Sequence, residues 1–209
     1  MKKTMDKLKN KARGNKKIIL FLSVIAIIGL ISGSMFITII SKSDQSLTKN
    51  YIENFIETIN NNKLNYFTCL KNTLIGTLSF IFIIWLLGIS LIGLPIIIFM
   101  YFSKCFILGF SVSSFILKYK SKGTILALSY IFPHHIINLI IYTLLMLYAI
   151  KVSIFLFNAI VKKKNINFKI IMRVYLKILI ITLIGSIITS LFECFITPYI
   201  LNHLIFIIK

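Results

Sequence analysis

Long apolar stretches separated by short lysine-rich tracts constrain this chain more than any other feature of its sequence. An α-helix rises about 1.5 Å per residue, so roughly twenty apolar residues span the ~30 Å hydrocarbon core of a bilayer. The 209 residues are 58% hydrophobic, with a mean hydropathy of +0.93. A water-soluble chain of this length could not bury so much apolar surface. The sequence therefore predicts an all-α, polytopic integral membrane protein with about five transmembrane helices and short interfacial helices.

The predicted organisation starts with a basic tail at 1–17 and a first transmembrane helix at 18–40. This helix exceeds the roughly 7–15 apolar residues of a signal peptide, so we expect it to be retained. A polar loop at 41–71 leads to a four-helix membrane domain at 72–209, in which a basic segment at 152–177 precedes the last helix. The four helices are expected at about 72–92, 95–117, 123–150 and 178–197.

The distribution of basic residues predicts the orientation. The tracts 1–17 and 152–177 carry 14 lysines and arginines, whereas 41–71 and 118–122 carry 7. The positive-inside rule therefore places the N-terminus in the cytoplasm and the loop at 41–71 outside the cell membrane. The net charge is +19, and its basic residues lie between apolar stretches. This arrangement favours contact with anionic lipid headgroups over nucleic-acid binding.

Apolar residues recur at helical spacing inside the outer loop, at Tyr51, Ile52, Phe55, Ile56 and Ile59. This pattern predicts a short amphipathic helix. Two interpretations stay open: the helix lies on the headgroups as an interfacial linker, or it docks a partner outside the cell membrane.

Small residues form stripes on three of the predicted helices. Gly29 and Gly33 are spaced four apart on the first helix, Gly109 lies on the third, and Gly185 on the last. Helices associate in lipid by close packing at small residues. We interpret the stripes as contacts within the chain, and an oligomer interface is the alternative.

Two ionisable residues fall within predicted membrane helices, where a charge costs at least ~2.5–3.5 kcal/mol. From the inner face, Lys104 lies about 13 Å and Glu193 about 24 Å along their helices. Because the two levels differ, direct pairing is not expected. Snorkelling or a structural polar contact is the simpler interpretation of these residues, and a functional conduit is the other.

Pro133 interrupts the predicted fourth helix and should kink it, because proline frees a backbone carbonyl. His134 and His135 follow directly and diverge by about 100° on a helix, which disfavours a shared metal. Asn138 lies one turn beyond His134 and could bond the freed backbone. We expect the histidines to stabilise the kink or an interface.

The sequence offers little material for catalysis. No nucleophile–base motif is present, and the chain has 5 acidic residues, of which Glu193 alone falls in a predicted membrane helix. Cys69, Cys105 and Cys194 have no metal or redox spacing, and we interpret the last two as small packing residues. We therefore expect no enzymatic activity, no catalytic residue, no cofactor and no metal.

Two blocks of sequence resemble the stage II sporulation protein M family. The first runs from Trp85 to Pro95 (WLLGISLIGLP) and continues through Lys104, Gly109-Phe110 and Gly123 to Pro133. The second is SLFE at 190–193, followed by Pro198. Many family members carry a P-H-G-x-x-E-like stretch, but His135 and Asn138 stand at its glycine and glutamate positions here.

The resemblance implies a non-enzymatic membrane scaffold at the sporulation septum, in the mother-cell membrane. Such a scaffold holds a peptidoglycan amidase and a lytic transglycosylase, which degrade cell wall during forespore engulfment. The competing hypothesis is a permease-like subunit of a transporter, motivated by the interrupted helix and the two membrane charges. An intramembrane enzyme using His134 is a third possibility.

Overall fold

The computed structural model describes residues 2–61, 63–161 and 167–204, with side chains from Asn15 onward. Parts of the chain that lie outside this description include residues 162–166 of the basic segment, residues 205–209, and the side chains of the basic tail before Asn15. The described chain forms α1 (Lys2–Ile39), α2 (Lys42–Asn60), α3 (Tyr66–Gly88), α4 (Gly93–Tyr130), α5 (Phe132–Val161), α6 (Phe168–Leu191), a π-helical turn (Phe192–Ile196) and α7 (Thr197–Leu204).

Five helical segments are long and apolar enough to cross a membrane. They are Asn15–Ile39, Tyr66–Gly88, Gly93–Tyr130, Phe132–Val161 and Phe168–Leu204, with mean hydropathies between 1.8 and 2.5. Many of their outward-facing side chains are large and apolar, as a lipid surface requires. The prediction of an all-α protein with five membrane helices is confirmed.

The five long helices pack as one bundle with two ends. We call the end where α1 finishes and α3 begins the distal end, and the opposite end the proximal end. α5 lies in the centre of the bundle and contacts α3, α4 and α6, while α1 lies along α4. The main core is formed by buried side chains that include Tyr101, Cys105, Met146 and Tyr175.

A second apolar cluster closes the distal end. Ile52, Ile56 and Ile59 of α2 pack with apolar residues of α4 and α7, which include Leu126 and Leu201. We call α2, the last turns of α4 and α7 together the distal cap. The three isoleucines of the predicted apolar stripe are therefore covered by protein rather than by headgroups, whereas Tyr51 of that stripe is exposed.

An ion pair adds to the contact between α2 and α4. The ammonium of Lys118 lies 2.6 Å from a carboxylate oxygen of Glu53. Tyr51 and Leu47, on the other side of α2, remain 77% and 55% exposed. The cap thus holds α2 in place and leaves one face of it uncovered.

The chain reverses its direction at Lys120, inside the segment counted as α4. Lys120 has φ 52° and ψ −130°, a conformation that residues with a Cβ rarely adopt. The returning helix passes close to the carbonyl oxygen of Phe115 at Gly123, where a Cβ would clash. The predicted turn at 118–122 is therefore a sharp reversal at one residue.

Several predicted helix boundaries differ from the structure. α1 begins at Lys2, within the basic tail, and α3 begins at Tyr66, within the predicted polar loop. α5 continues to Val161 and α6 begins at Phe168, so both helices extend into the basic segment at 152–177. The apolar residues near 168–175, within the basic segment, also predict one of the short interfacial helices, but these residues form the first turns of α6. Asn167 caps that helix, with its side-chain oxygen 3.4 Å from the amide of Ile170.

Candidate functional site

Glycines bring α1 and α4 into backbone contact. A Cβ at Gly33 would overlap the carbonyl oxygen of Phe106, and one at Gly109 would overlap that of Leu30. Gly29 faces Cys105 at the same contact. Small residues thus allow the two backbones to approach closely. Gly185 lies instead on α6, against the side chain of Ile141 on α5.

A cavity of about 230 Å³, lined by both polar and apolar residues, lies in the distal half of the bundle, between α3, α4, α5 and the π-helical turn. It is the candidate functional site, because it brings together Lys104, Asn138 and Glu193, three of the polar residues that the sequence places in the membrane. Its lining consists of Asn72, Thr73, Gly76, Thr77, Lys104, Ile107, Leu108, His135, Asn138, Leu139, Tyr142 and Glu193.

Lys104 and Glu193 face this cavity together. The two side chains do not form a salt bridge with each other. Among the described side chains, the salt bridge with an N–O distance within 4.0 Å joins Lys118 to Glu53. The ammonium of Lys104 lies 4.7 Å from the centre of the Phe80 ring, a cation–π contact. The sequence placed these two charges at different depths along their helices, and in the structure they line one cavity.

The position of Glu193 depends on the π-helical turn at Phe192–Ile196. The amide of Thr197 donates to the carbonyl of Phe192, five residues earlier, and its hydroxyl donates to the same oxygen at 3.0 Å. Pro198 has no N–H and its ring clashes with the carbonyl four residues before it, that of Cys194. A wider turn relieves this clash, and π-turns within helices are frequent at functional sites.

Asn138 joins α5 to α6. Its side-chain oxygen accepts a hydrogen bond of 2.5 Å from the hydroxyl of Thr189, and both residues are buried. This bond uses the oxygen of the amide and reaches α6, so it is separate from the predicted bond between Asn138 and the backbone carbonyl freed by Pro133. Thr189 lies four residues before Glu193, so this bond ties the end of α6 that leads to Glu193 to α5.

The prediction that the two histidines diverge is not met at their rings, because the ring centres of His134 and His135 lie 4.3 Å apart. His135 lines the cavity, whereas His134 is 2% exposed and lies against Tyr130, with ring centres 6.1 Å apart. Within the described part of the chain, no group of three potential metal ligands comes together. His134 therefore belongs to the packing around the kink rather than to the cavity.

Pro133 marks a kink in a helical path that continues through it. The amide of Ile131 donates to Ala127 at 2.9 Å, and that of His135 donates to Ile131 at 3.4 Å. The break between α4 and α5 falls at Ile131. The chain reverses earlier, at Lys120, so Pro133 redirects the helix without returning it to the distal end.

Sequence reasoning missed the wall that α3 contributes to the cavity. Asn72, Thr73 and Thr77 lie there with Gly76, at spacings of three and four residues on one helical face. That polar spacing at the start of an otherwise apolar helix was the available signal. A Cβ at Gly76 would meet nothing within 4 Å, because the residue borders open space.

The first of the two sequence blocks forms the proximal turn between α3 and α4. The hydroxyl of Tyr175 donates to the carbonyl of Trp85 at 3.0 Å, and that of Ser153 donates to Ser90 at 3.0 Å. Gly88 allows this approach, since a Cβ there would collide with the Tyr175 hydroxyl. The second block contains Glu193 and lies at the cavity.

Five helices long and apolar enough to span a bilayer define a multi-pass membrane protein. The family model for stage II sporulation protein M matches residues 18–198. The chain therefore belongs to the stage II sporulation protein M family and is a sporulation-related membrane protein. No curated protein and no solved structure matches it.

Proposed function

We propose that this protein is a membrane scaffold that recruits peptidoglycan-degrading enzymes to the septum during forespore engulfment. Membership of the stage II sporulation protein M family supports a role in sporulation. One structural observation supports the scaffold role: α2 packs against the bundle on one face and is uncovered on the other. The proposal assigns no catalytic step to this chain, because hydrolysis belongs to the recruited enzymes.

The orientation of the bundle is part of the proposal. The excess of basic residues in 1–17 and 152–177 places the proximal end in the cytoplasm. The distal cap then lies on the outer side of the mother-cell membrane, where peptidoglycan is found. A peptidoglycan amidase and a lytic transglycosylase are the proposed partners.

The docking face on α2 combines exposed apolar and acidic groups. Leu47 and Tyr51 lie one turn apart and are 55% and 77% exposed. Asp44 lies one turn before Leu47, and Glu57 is exposed near the other end of the helix. Exposed aromatic side chains on a rigid element are common anchors of protein interfaces.

The main test is the location of the wall enzymes in sporulating cells. We expect deletion of the gene to block engulfment and to disperse fluorescent fusions of both enzymes from the septum. We expect the double variant Leu47→Ser/Tyr51→Ser to disperse them while the scaffold still accumulates in the membrane. Normal engulfment in the deletion strain would refute the proposal.

Ile92→Ser is the matched control for the α2 variant. Ile92 is 79% exposed, but it lies at the proximal end, in the turn between α3 and α4. The same change of an exposed apolar residue to serine should leave the enzymes at the septum. If it disperses them as strongly as the α2 variant does, the effect reflects general damage rather than loss of docking.

A permease-like subunit of a transporter is the second candidate, and the charged cavity favours it. Its volume of about 230 Å³ is below the roughly 300–1,000 Å³ of small-molecule sites. The cavity therefore suits water or a small polar solute better than a large substrate. Copurification with a cytoplasmic ATPase, or solute flux in proteoliposomes, would favour this candidate over the scaffold.

A further inference from the structure

Two cysteines from distant parts of the sequence meet at the distal end. The Sγ atoms of Cys69 and Cys194 are 2.7 Å apart, although the residues are 125 positions apart in the chain. A disulfide bond is about 2.05 Å long, so the sulfurs need to move by only about 0.7 Å to bond. Cys69 lies in the first turn of α3, and Cys194 lies in the π-helical turn.

Flanking contacts hold the two segments side by side. The rings of Tyr66 and Phe195 stack with centres 5.6 Å apart and planes 5° from parallel. One turn further along α3, the hydroxyl of Thr73 accepts a hydrogen bond of 3.7 Å from the Cys194 thiol. The two cysteines therefore lie between contacts that keep α3 and the π-helical turn aligned.

We propose that Cys69 and Cys194 form a disulfide bond in the cell. This inference rests on the orientation in the proposed function, which places the distal end outside the cytoplasm. Disulfides persist in such compartments and are rare in the cytosol. Cys105, the third cysteine, is fully buried at the contact with Gly29 and takes no part.

The oxidant is the disulfide of an extracytoplasmic thiol–disulfide oxidoreductase. Cys69 is partly exposed, so its thiolate attacks one sulfur of that disulfide and forms a mixed disulfide, releasing the first oxidant thiol. The thiolate of buried Cys194 then attacks Cys69 Sγ and releases the second oxidant thiol. Two protons and two electrons pass from the cysteine pair to the oxidant.

The bond ties the distal end of α3 to the segment that carries Glu193. Thr73 and Glu193 both line the cavity, and each lies within one turn of a bonded cysteine. Oxidation would therefore fix two walls of the cavity relative to each other. It would also anchor α7, which directly follows the π-helical turn and contributes to the distal cap.

Counting free thiols in acid-quenched sporulating cells tests the proposal. After denaturation in SDS, each free cysteine gains one polyethylene glycol maleimide. The wild-type chain has 3 cysteines and should show one mass shift before reduction and three after it. Cys105→Ser should show none before and two after, whereas Cys69→Ser should show two in both cases.

Three shifts without reduction in wild-type cells would overturn the proposal. The purified full-length protein in detergent, treated with oxidised dithiothreitol, then identifies the cause. Three shifts there would show that the sulfurs are not held in reach. One shift would show that the geometry is right but that the distal end faces a reducing compartment, which would also overturn the proposed orientation.

Discussion

The hydroxyl of Thr189 on α6 donates a hydrogen bond of 2.5 Å to the side-chain oxygen of Asn138 on α5. Asn138 stands at the glutamate position of the P-H-G-x-x-E-like stretch that the sequence resembles. A neutral amide paired across two helices carries no charge into the bundle. The remaining acid of this region, Glu193, lies four residues beyond Thr189, in the π-helical turn that follows α6, and lines the cavity together with Lys104.

Replacing Thr189 with valine should lower stability, because the buried Asn138 oxygen loses its donor. We expect a cost of about 1 kcal/mol, since hydrogen bonds between membrane helices are modest. For a chain of this size that corresponds to a fall in Tm of about 2–4 °C, measured by thermal unfolding in detergent. Thr38→Val is the matched control, because the hydroxyl of Thr38 bonds only to its own helix, at the Met35 carbonyl. Equal effects of the two changes would contradict the role assigned to the contact between helices.

Alanine at Gly33 should separate α1 from α4. The added methyl group would overlap the carbonyl oxygen of Phe106, and backbone atoms cannot move aside as a flexible side chain can. Overpacking of this kind costs about 1–3 kcal/mol. Gly76→Ala is the control, since it adds the same methyl group to a helix with open space beside it. That control should be neutral or slightly stabilising, because alanine favours helix by about 1 kcal/mol. A lower Tm for the Gly76 variant than for the Gly33 variant would refute the close packing.

Glycine at Lys120 should stabilise the protein. Lys120 has φ 52°, where a Cβ is strained and glycine is not. We expect a gain of about 1 kcal/mol, seen as a higher Tm in detergent. Lys120→Ala removes the same charged side chain but keeps the Cβ, so it should bring no gain. If alanine stabilises as much as glycine, the gain comes from removing the lysine side chain and not from relieving the backbone.

The charges at Lys104 and Glu193 should depend on each other. Lys104→Met leaves the carboxylate of Glu193 without an opposite charge at the cavity, and Glu193→Gln does the converse. Each single change should cost about 2–3 kcal/mol, because an uncompensated charge in the membrane is expensive. The double variant should cost less than the sum, with a coupling of about 1 kcal/mol or more in a double-mutant cycle of unfolding measurements. Additive costs would show that the cavity keeps the two charges independent, and an unchanged Lys104→Met protein would remove any functional role for that lysine.

Several features of the site could not be read from residue spacing. Lys104 and Glu193 were placed at different levels from their distances along separate helices, yet they share one cavity. The sequence made Pro133 and His134 candidate site residues alongside Lys104 and Glu193, but these two residues lie in the packing around a kink and not at the cavity. The glycines of α1 and α4 contact the opposite helix because of how the two helices are rotated about their axes. Residue spacing along the sequence does not report that rotation. The polar face of α3 was visible in the sequence, but its meaning depends on which helices surround it.

The sequence by itself determined that this is a helical membrane protein with five spans. The free energy of transfer into hydrocarbon is a sum over the residues of each segment, so it does not depend on which helices the segment packs against. The 3.6-residue period of apolar residues likewise predicted that α2 is an amphipathic helix. Tertiary structure alone decided what that stripe packs against, where the chain reverses, and which side chains meet at the cavity. It also brought Cys69 to Cys194 across 125 positions. Such contacts depend on the tilt and rotation of each helix and on which helices are neighbours. These are set only when the bundle packs.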